Sequence, residues 1–225
     1  MTRVLITGVS RGIGEGLLRQ YLARGHHVHA LGRSCPDWAM AYGSALHFIT
    51  CDMADSTAVE AACHAITEPL DTIIVSAADF GGNAYLLEQF DPATFARTFQ
   101  INCISPAILA SKLKQKLELG EGRKIVFMST GNASLSGNTQ GAMLAYRTSK
   151  SALNQLMRNI AAEWGSSGFT AVALNPGWVR TAMGGENAPL MVEEAATAIY
   201  GFCQFTLSPA LNGRFCNTDG SELPW

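Results

Sequence analysis

Thr7-Gly8-Val9-Ser10-Arg11-Gly12-Ile13-Gly14 is the stretch whose reading decides the fold. Val4-Leu5-Ile6 before it reads as a short buried strand. After it, Leu17, Leu18, Tyr21 and Leu22 recur at the spacing of one helix face. Strand, glycine-rich turn and helix in that order make a corner suited to phosphate. Glycine allows positive φ and close approach of a ligand to the backbone. The helix N-terminus adds unpaired N–H groups and the positive end of a dipole. The glycines are spaced G-x-x-x-G-x-G from Gly8, not in the commoner G-x-G-x-x-G order. A merely tight strand-to-helix turn would use the same residues, so the rest of the chain has to decide.

Outward from that corner, apolar strands alternate with amphipathic helices. Further strands are predicted at residues 28–31, 46–50, 72–75, 124–128, 170–174 and 214–216. Helices are predicted from about Ser56, across 95–117 with a break or kink at Pro106, across 146–164 and across 192–205. This alternation predicts an α/β fold: a single doubly wound (Rossmann) domain with a mostly parallel seven-stranded sheet and helices on both faces. The 225 residues, 48% hydrophobic and 15% charged, suffice for one sizeable core. No internal repeat or linker divides them, and residues 131–141, rich in Gly, Ser, Asn and Thr, read as a loop.

A net charge of −2 argues against a nucleic-acid or anionic-membrane surface. No apolar run has the length to span a bilayer, and the first strand starts almost at Met1 with no signal-peptide pattern, so a soluble cytoplasmic protein is expected. Cys35, Cys51, Cys63, Cys103, Cys203 and Cys216 contain no C-x-x-C pair and read as reduced packing residues. His26, His27 and His29 crowd one stretch without a second ligand cluster, so no metal site is expected.

In a doubly wound sheet the ligand lies outside the carboxyl ends of the strands. Gly32-Arg33-Ser34 closes the second strand, where an acid would bond the ribose hydroxyls of NAD. Arg33 stands there instead, with Ser34 beside it and Arg11 in the glycine turn. Two guanidinium groups can pair with a 2′-phosphate, which predicts NADPH over NADH; two solvated surface arginines are the plainer reading. Tyr146-Arg147-Thr148-Ser149-Lys150 follows the fifth strand at the start of a long helix, and residues four apart share a helix face. A phenol titrates near pH 10. A neighbouring ammonium and a positively charged nicotinamide ring lower that value, so Tyr146 can give a proton to a carbonyl oxygen as hydride arrives, or take it back.

With T-G-x-x-x-G-x-G and Y-x-x-x-K in these places, the chain resembles the short-chain dehydrogenase/reductase family over essentially its whole length. Residues 141–154, Pro176-Gly177-Trp178-Val179-Arg180-Thr181 and the tail 217–225 resemble the branch holding the sniffer-type carbonyl reductases and the C-factor-like proteins. The resemblance implies a cofactor cradle of Gly8, Ser10, Arg11, Gly12, Ile13 and Gly14, with Arg33 and Ser34 at the next strand end. It places Asp52 and Met53 at the adenine, although Asp52 also reads as a turn or capping aspartate. Ala77 and Ala78 would run beside the cofactor, and Lys150 would hold the nicotinamide ribose. Pro176, Gly177, Val179 and Thr181 would meet the nicotinamide end.

Beside Tyr146 and Lys150, the family's catalytic asparagine, which holds a water in a proton relay to the lysine, matches Asn102. Its catalytic serine matches Thr130, with Ser129 and Ser134 as substitutes. Residues 182–189 look like a substrate loop, with Trp178 and Met183 as apolar walls. One departure stands out: the family's Asn-Asn-Ala-Gly reads Ser76-Ala77-Ala78-Asp79 here, which sets a carboxylate near the cofactor groove. The implied activity is NADPH-dependent, reversible reduction of a ketone or aldehyde, with NADH as a second possible cofactor and a homodimer or homotetramer as the assembly. The competing reading is a cofactor-binding regulatory or signalling protein with little turnover. Thr130 and Asp79 favour it; Asn102, Tyr146 and Lys150 oppose it.

Overall fold

In the computed structural model, which describes residues 1–82 and 86–225, seven strands alternate with helices. The strands are β1 (Arg3–Thr7), β2 (His27–Gly32), β3 (Leu46–Thr50), β4 (Thr72–Val75), β5 (Lys124–Met128), β6 (Thr170–Asn175) and β7 (Phe215–Asn217). They form one sheet in the order β3-β2-β1-β4-β5-β6-β7. Every pairing is parallel, so the sheet is all-parallel rather than mostly so. The order reverses between β1 and β4, the switch point at which such sheets open a crevice. The glycine turn leaves β1 at that point.

Strand alternation sorts the core into two layers. Val4, Ile6, Val28, Ile74, Val126 and Val172 pack on one face against α1 (Gly12–Ala23) and α6 (Val192–Gly201). Leu5, Leu31, Ile73, Val75, Ile125 and Phe127 pack on the other against α2 (Ser56–Ala65), α4 (Ser105–Leu119) and α5 (Leu144–Trp164). Burial on both faces is why the strands read as apolar runs.

The helix expected over 95–117 differs in two ways. It begins earlier, as α3 (Pro92–Phe99), because the Asp91 carboxylate accepts from the N–H groups of Ala93 at 3.3 Å and Thr94 at 2.9 Å, with Pro92 in the first turn. Its irregularity also lies before Pro106, as a single π turn over Gln100–Ile104 joining α3 to α4. Proline has no N–H for the carbonyl four residues earlier, which is that of Asn102. The Ser105 N–H reaches five residues back, to the Gln100 carbonyl. The last helix likewise stops as α-helix at Gly201 and continues as a π turn, Phe202–Thr206.

All six cysteines are free thiols; Cys35 and Cys103 are half-buried and the others buried. Burial pushes the Cys51 thiol up to about 11 and Cys63 to about 12, so both stay protonated packing groups. Among the described residues, no helix is long and apolar enough to cross a membrane.

Candidate active site

A cavity of about 570 Å³ opens over the carboxyl ends of β1 to β6. Its floor is the glycine turn. Gly8 (φ 76°) and Gly12 (φ 62°) occupy the left-handed region. A Cβ on Gly14 would stand 2.2 Å from the Gly8 carbonyl oxygen, and one on Gly8 would stand 2.8 Å from Ala77 Cα. Only glycines build this cradle. α1 starts at Gly12, and its capping residue Arg11 makes no side-chain cap bond, which leaves the first-turn N–H groups for a ligand.

Side-chain hydrogen bonds set the neighbouring strand ends. Thr7 Oγ1 accepts from the N–H groups of Ser76 and Ala77, each at 3.0 Å, tying the end of β4 to the turn. Ser10 Oγ donates to the Ser34 carbonyl at 2.7 Å and accepts from the Ser34 N–H at 3.1 Å. That exchange joins the ends of β1 and β2. Arg11 and Arg33, both exposed, line the cavity beside it.

Of the expected cofactor residues, Gly8, Ser10, Gly12, Ile13 and Gly14 line the cavity with the two arginines. So do Asp52, Met53, Ala77, Ala78, Lys150, Pro176 and Thr181. Ser34, Gly177 and Val179 lie off it. Ser34 serves through its backbone. Val179 is buried in a bridge to Leu190, and Gly177 (φ 84°) makes the turn that leads there. Asp52 fits both of its readings: it faces the cavity while its Oδ1 accepts from the Ala54 N–H at 2.9 Å. Met183 forms a wall, whereas Trp178 does not line the cavity; its indole N–H donates to the Gly184 carbonyl at 2.8 Å, which turns it along the exposed loop.

Tyr146 and Lys150 project from the first turns of α5 into the cavity, 8% and 2% exposed. Lys150 Nζ donates to the Met128 carbonyl at 2.7 Å and lies 6.0 Å from the centre of the Tyr146 ring. Burial lowers the Lys150 ammonium to about 8. Burial also pushes the Tyr146 phenol up to about 12, with the Thr130 side chain beside it acting in the opposite direction.

Asn102 sits in the π turn, fully buried and away from the cavity wall. Its Oδ1 accepts from the Asp79 N–H at 2.7 Å; its Nδ2 donates to the Asp79 carbonyl at 2.8 Å and to Ser149 Oγ at 2.9 Å. Ser149 Oγ in turn donates to the Tyr146 carbonyl at 2.9 Å. One amide therefore couples the end of β4 to the helix that carries Tyr146.

The three candidate hydroxyls separate by their partners. Ser129 Oγ donates to buried Asn154 Oδ1 at 2.6 Å. Ser134 Oγ accepts from the Gly137 N–H at 3.0 Å. Thr130, whose Oγ1 accepts from the Asn132 N–H at 3.3 Å, is the one beside the phenol, although it does not line the cavity. Asn154, Ile101 and Arg97 were not anticipated. Ile101, directly before Asn102, lines the cavity, and so do Arg97 and Asp79, which form an ion pair at 2.7 Å.

A Rossmann-type sheet with this cradle at its switch point and a buried Tyr–Lys pair across the groove defines the class of nicotinamide-dependent oxidoreductases. The family profile described as "short chain dehydrogenase" matches residues 2–190, and the chain belongs to the short-chain dehydrogenase/reductase family. The C-signal protein of Myxococcus xanthus is 35% identical over 164 residues, 73% of this chain and 98% of that protein. The carbonyl reductase Sniffer of D. melanogaster superposes with a TM-score of 0.91 at 30% identity, covering 100% of both chains. An NADPH-bound carbonyl reductase from chicken fatty liver superposes with a TM-score of 0.89 at 25% identity, covering 100% of this chain and 99% of that one.

Proposed function

We propose that this protein reduces a ketone or aldehyde with NADPH, and oxidises the corresponding alcohol in reverse, with Tyr146 as general acid/base. One observation carries the reading: a single cavity holds the glycine cradle with Arg11 and Arg33 at one end and Tyr146 with Lys150 at the other. The cradle, closed to any side chain larger than hydrogen, fits a dinucleotide diphosphate. The end of β2 offers Arg33 and no carboxylate, which suits a 2′-phosphate. Bound there, the nicotinamide supplies the hydride.

The chain's own residues handle the proton. The Tyr146 phenol, whose pKa burial raises further above neutrality, is protonated at neutral pH, the state needed to protonate a carbonyl oxygen. The Lys150 ammonium would stabilise the phenolate left behind and, with donors beyond the one taken by the Met128 carbonyl, would hold the nicotinamide ribose. The Thr130 hydroxyl orients the substrate oxygen. The Asn102 side chain is fully engaged by Asp79 and Ser149. Its contribution to a proton relay is therefore its backbone carbonyl, which Pro106 leaves without the usual helical donor.

Tyr146→Phe tests the assignment: turnover of a carbonyl panel should fall by about 10²–10⁴-fold while the NADPH Kd stays within about two-fold. Unchanged turnover removes Tyr146 from the mechanism. The similarity to a protein named C-signal supports a second reading, a cofactor-binding regulator. Biological activity that survives Tyr146→Phe intact would favour it.

A further inference from the structure

Asp79 stands at the end of β4, and the strand order puts that end between the glycine turn of β1 and the catalytic groups after β5. A dinucleotide with its diphosphate in the glycine turn of β1 and its reactive ring at Tyr146 must carry its nicotinamide-side phosphate and ribose past this point. A carboxylate here would repel it, yet this one is engaged by three donors, one of them a cation. Oδ1 accepts from Arg97 Nη1 at 2.7 Å, and Oδ2 accepts from Thr98 Oγ1 at 2.7 Å and from the Gly81 N–H at 3.2 Å. The last two bonds fix the carboxylate and so fix the direction in which it holds Arg97. The Arg97 side chain is 48% exposed against 23% for Asp79, and both line the cavity. A guanidinium carries five N–H donors in a planar fork. Among the described residues, only Asp79 accepts from that of Arg97. Four arginines, Arg11, Arg33, Arg97 and Arg180, line the cavity with two aspartates, Asp52 and Asp79, a balance that favours a polyanion.

We propose that Arg97 is a ligand-contacting residue, aimed by Asp79 and donating its free N–H groups to the nicotinamide-side phosphate and ribose of the bound dinucleotide. This rests on the dinucleotide reading above and extends it. The pair replaces the small backbone corner expected after β4 with a charged arm that reaches over the groove from α3. Asp79 is then the support of a cation, not an obstacle to the cofactor.

The test is a double-mutant cycle read by NADPH fluorescence titration at low and at raised salt, on unaltered protein, Asp79→Asn, Arg97→Met and the double variant. Arg97→Met should bind about ten-fold or more weakly, the scale of a charged hydrogen bond. The double variant should stay about ten-fold weaker than the unaltered protein, with the gap narrowing as salt screens the contact. A double variant that binds as the unaltered protein does would show that Arg97 only neutralises Asp79, and would overturn the proposal. Failure of the unaltered protein to bind NADPH is a different result: it would bring down the dinucleotide reading and this inference with it. Thermal unfolding of each variant checks folding, and Arg97→Gln, which keeps polarity without charge, replaces Arg97→Met if that protein unfolds.

Discussion

Replacing Lys150 with methionine should stabilise this protein at neutral pH while disabling it. The ammonium is buried at 2% exposure with one carbonyl partner, Met128 at 2.7 Å. Burial lowers its pKa from 10.5 to about 8, a differential of roughly 3 kcal/mol against the charged form. Losing the bond to Met128 offsets about 1 kcal/mol. The net gain of about 2 kcal/mol corresponds to a rise of roughly 4–8 °C in Tm for a chain of this size. The sign with pH follows from proton counting. Between pH 8 and 10.5 the unfolded chain keeps the lysine proton and the folded chain has lost it, so the unaltered protein gains stability as pH rises through that window. The methionine variant has no such dependence. Its advantage is whole below pH 8 and gone by pH 10.5, and the Tyr146 titration, common to both proteins, cancels in the difference. Differential thermal unfolding at several pH values from neutral to alkaline, beside a turnover assay, measures this. A variant less stable than the parent at neutral pH, or an advantage that does not shrink with pH, would refute the reasoning.

Four further outcomes are expected. Thr130→Ala should lower turnover about 10–100-fold with cofactor affinity intact. Ser129→Ala should instead lower Tm, because it leaves buried Asn154 Oδ1 without its donor at a cost of about 1–2 kcal/mol. Arg33→Ala should narrow the ratio of NADH to NADPH dissociation constants by about ten-fold, and an unchanged ratio would detach Arg33 from the 2′-phosphate. Gly14→Ala should abolish measurable NADPH binding and lower Tm, since its Cβ meets a carbonyl oxygen at 2.2 Å; wild-type titration curves would contradict the cradle.

The seven strands were legible because parallel strands buried on both faces spell continuous apolar runs, and predicted and observed limits agree within one residue for all seven. The glycine turn and Tyr146 with Lys150 were legible because each is local, held within one turn or one helix start. The start of α3 was open to a closer reading, since Asp91-Pro92 is a cap followed by a first-turn proline. Pro106 marked an irregular helix, but its effect falls four residues upstream on the Asn102 carbonyl. The bond between Asp79 and Arg97 joins a strand end to a helix, and nothing in either local stretch names the other. Ser34, Gly177 and Val179 shape the site through backbone and packing rather than by facing the cavity, a distinction that periodicity does not carry.

The same balance of costs bears on turnover against a purely binding role. A protein that only held a dinucleotide could close its cradle with the glycine turn, Thr7 and the strand-end arginines, all on the β1 and β2 side of the groove. It would gain nothing from a fully buried amide spanning Asp79 and Ser149, or from a lysine whose burial destabilises the fold at neutral pH. These groups converge on one phenol held protonated at the far end of the cavity. That pattern supports the proton-transfer reading proposed above over a purely binding one. Lys150→Met therefore separates the two roles directly. A regulator should tolerate the substitution and become more stable, whereas a reductase should become more stable and lose turnover.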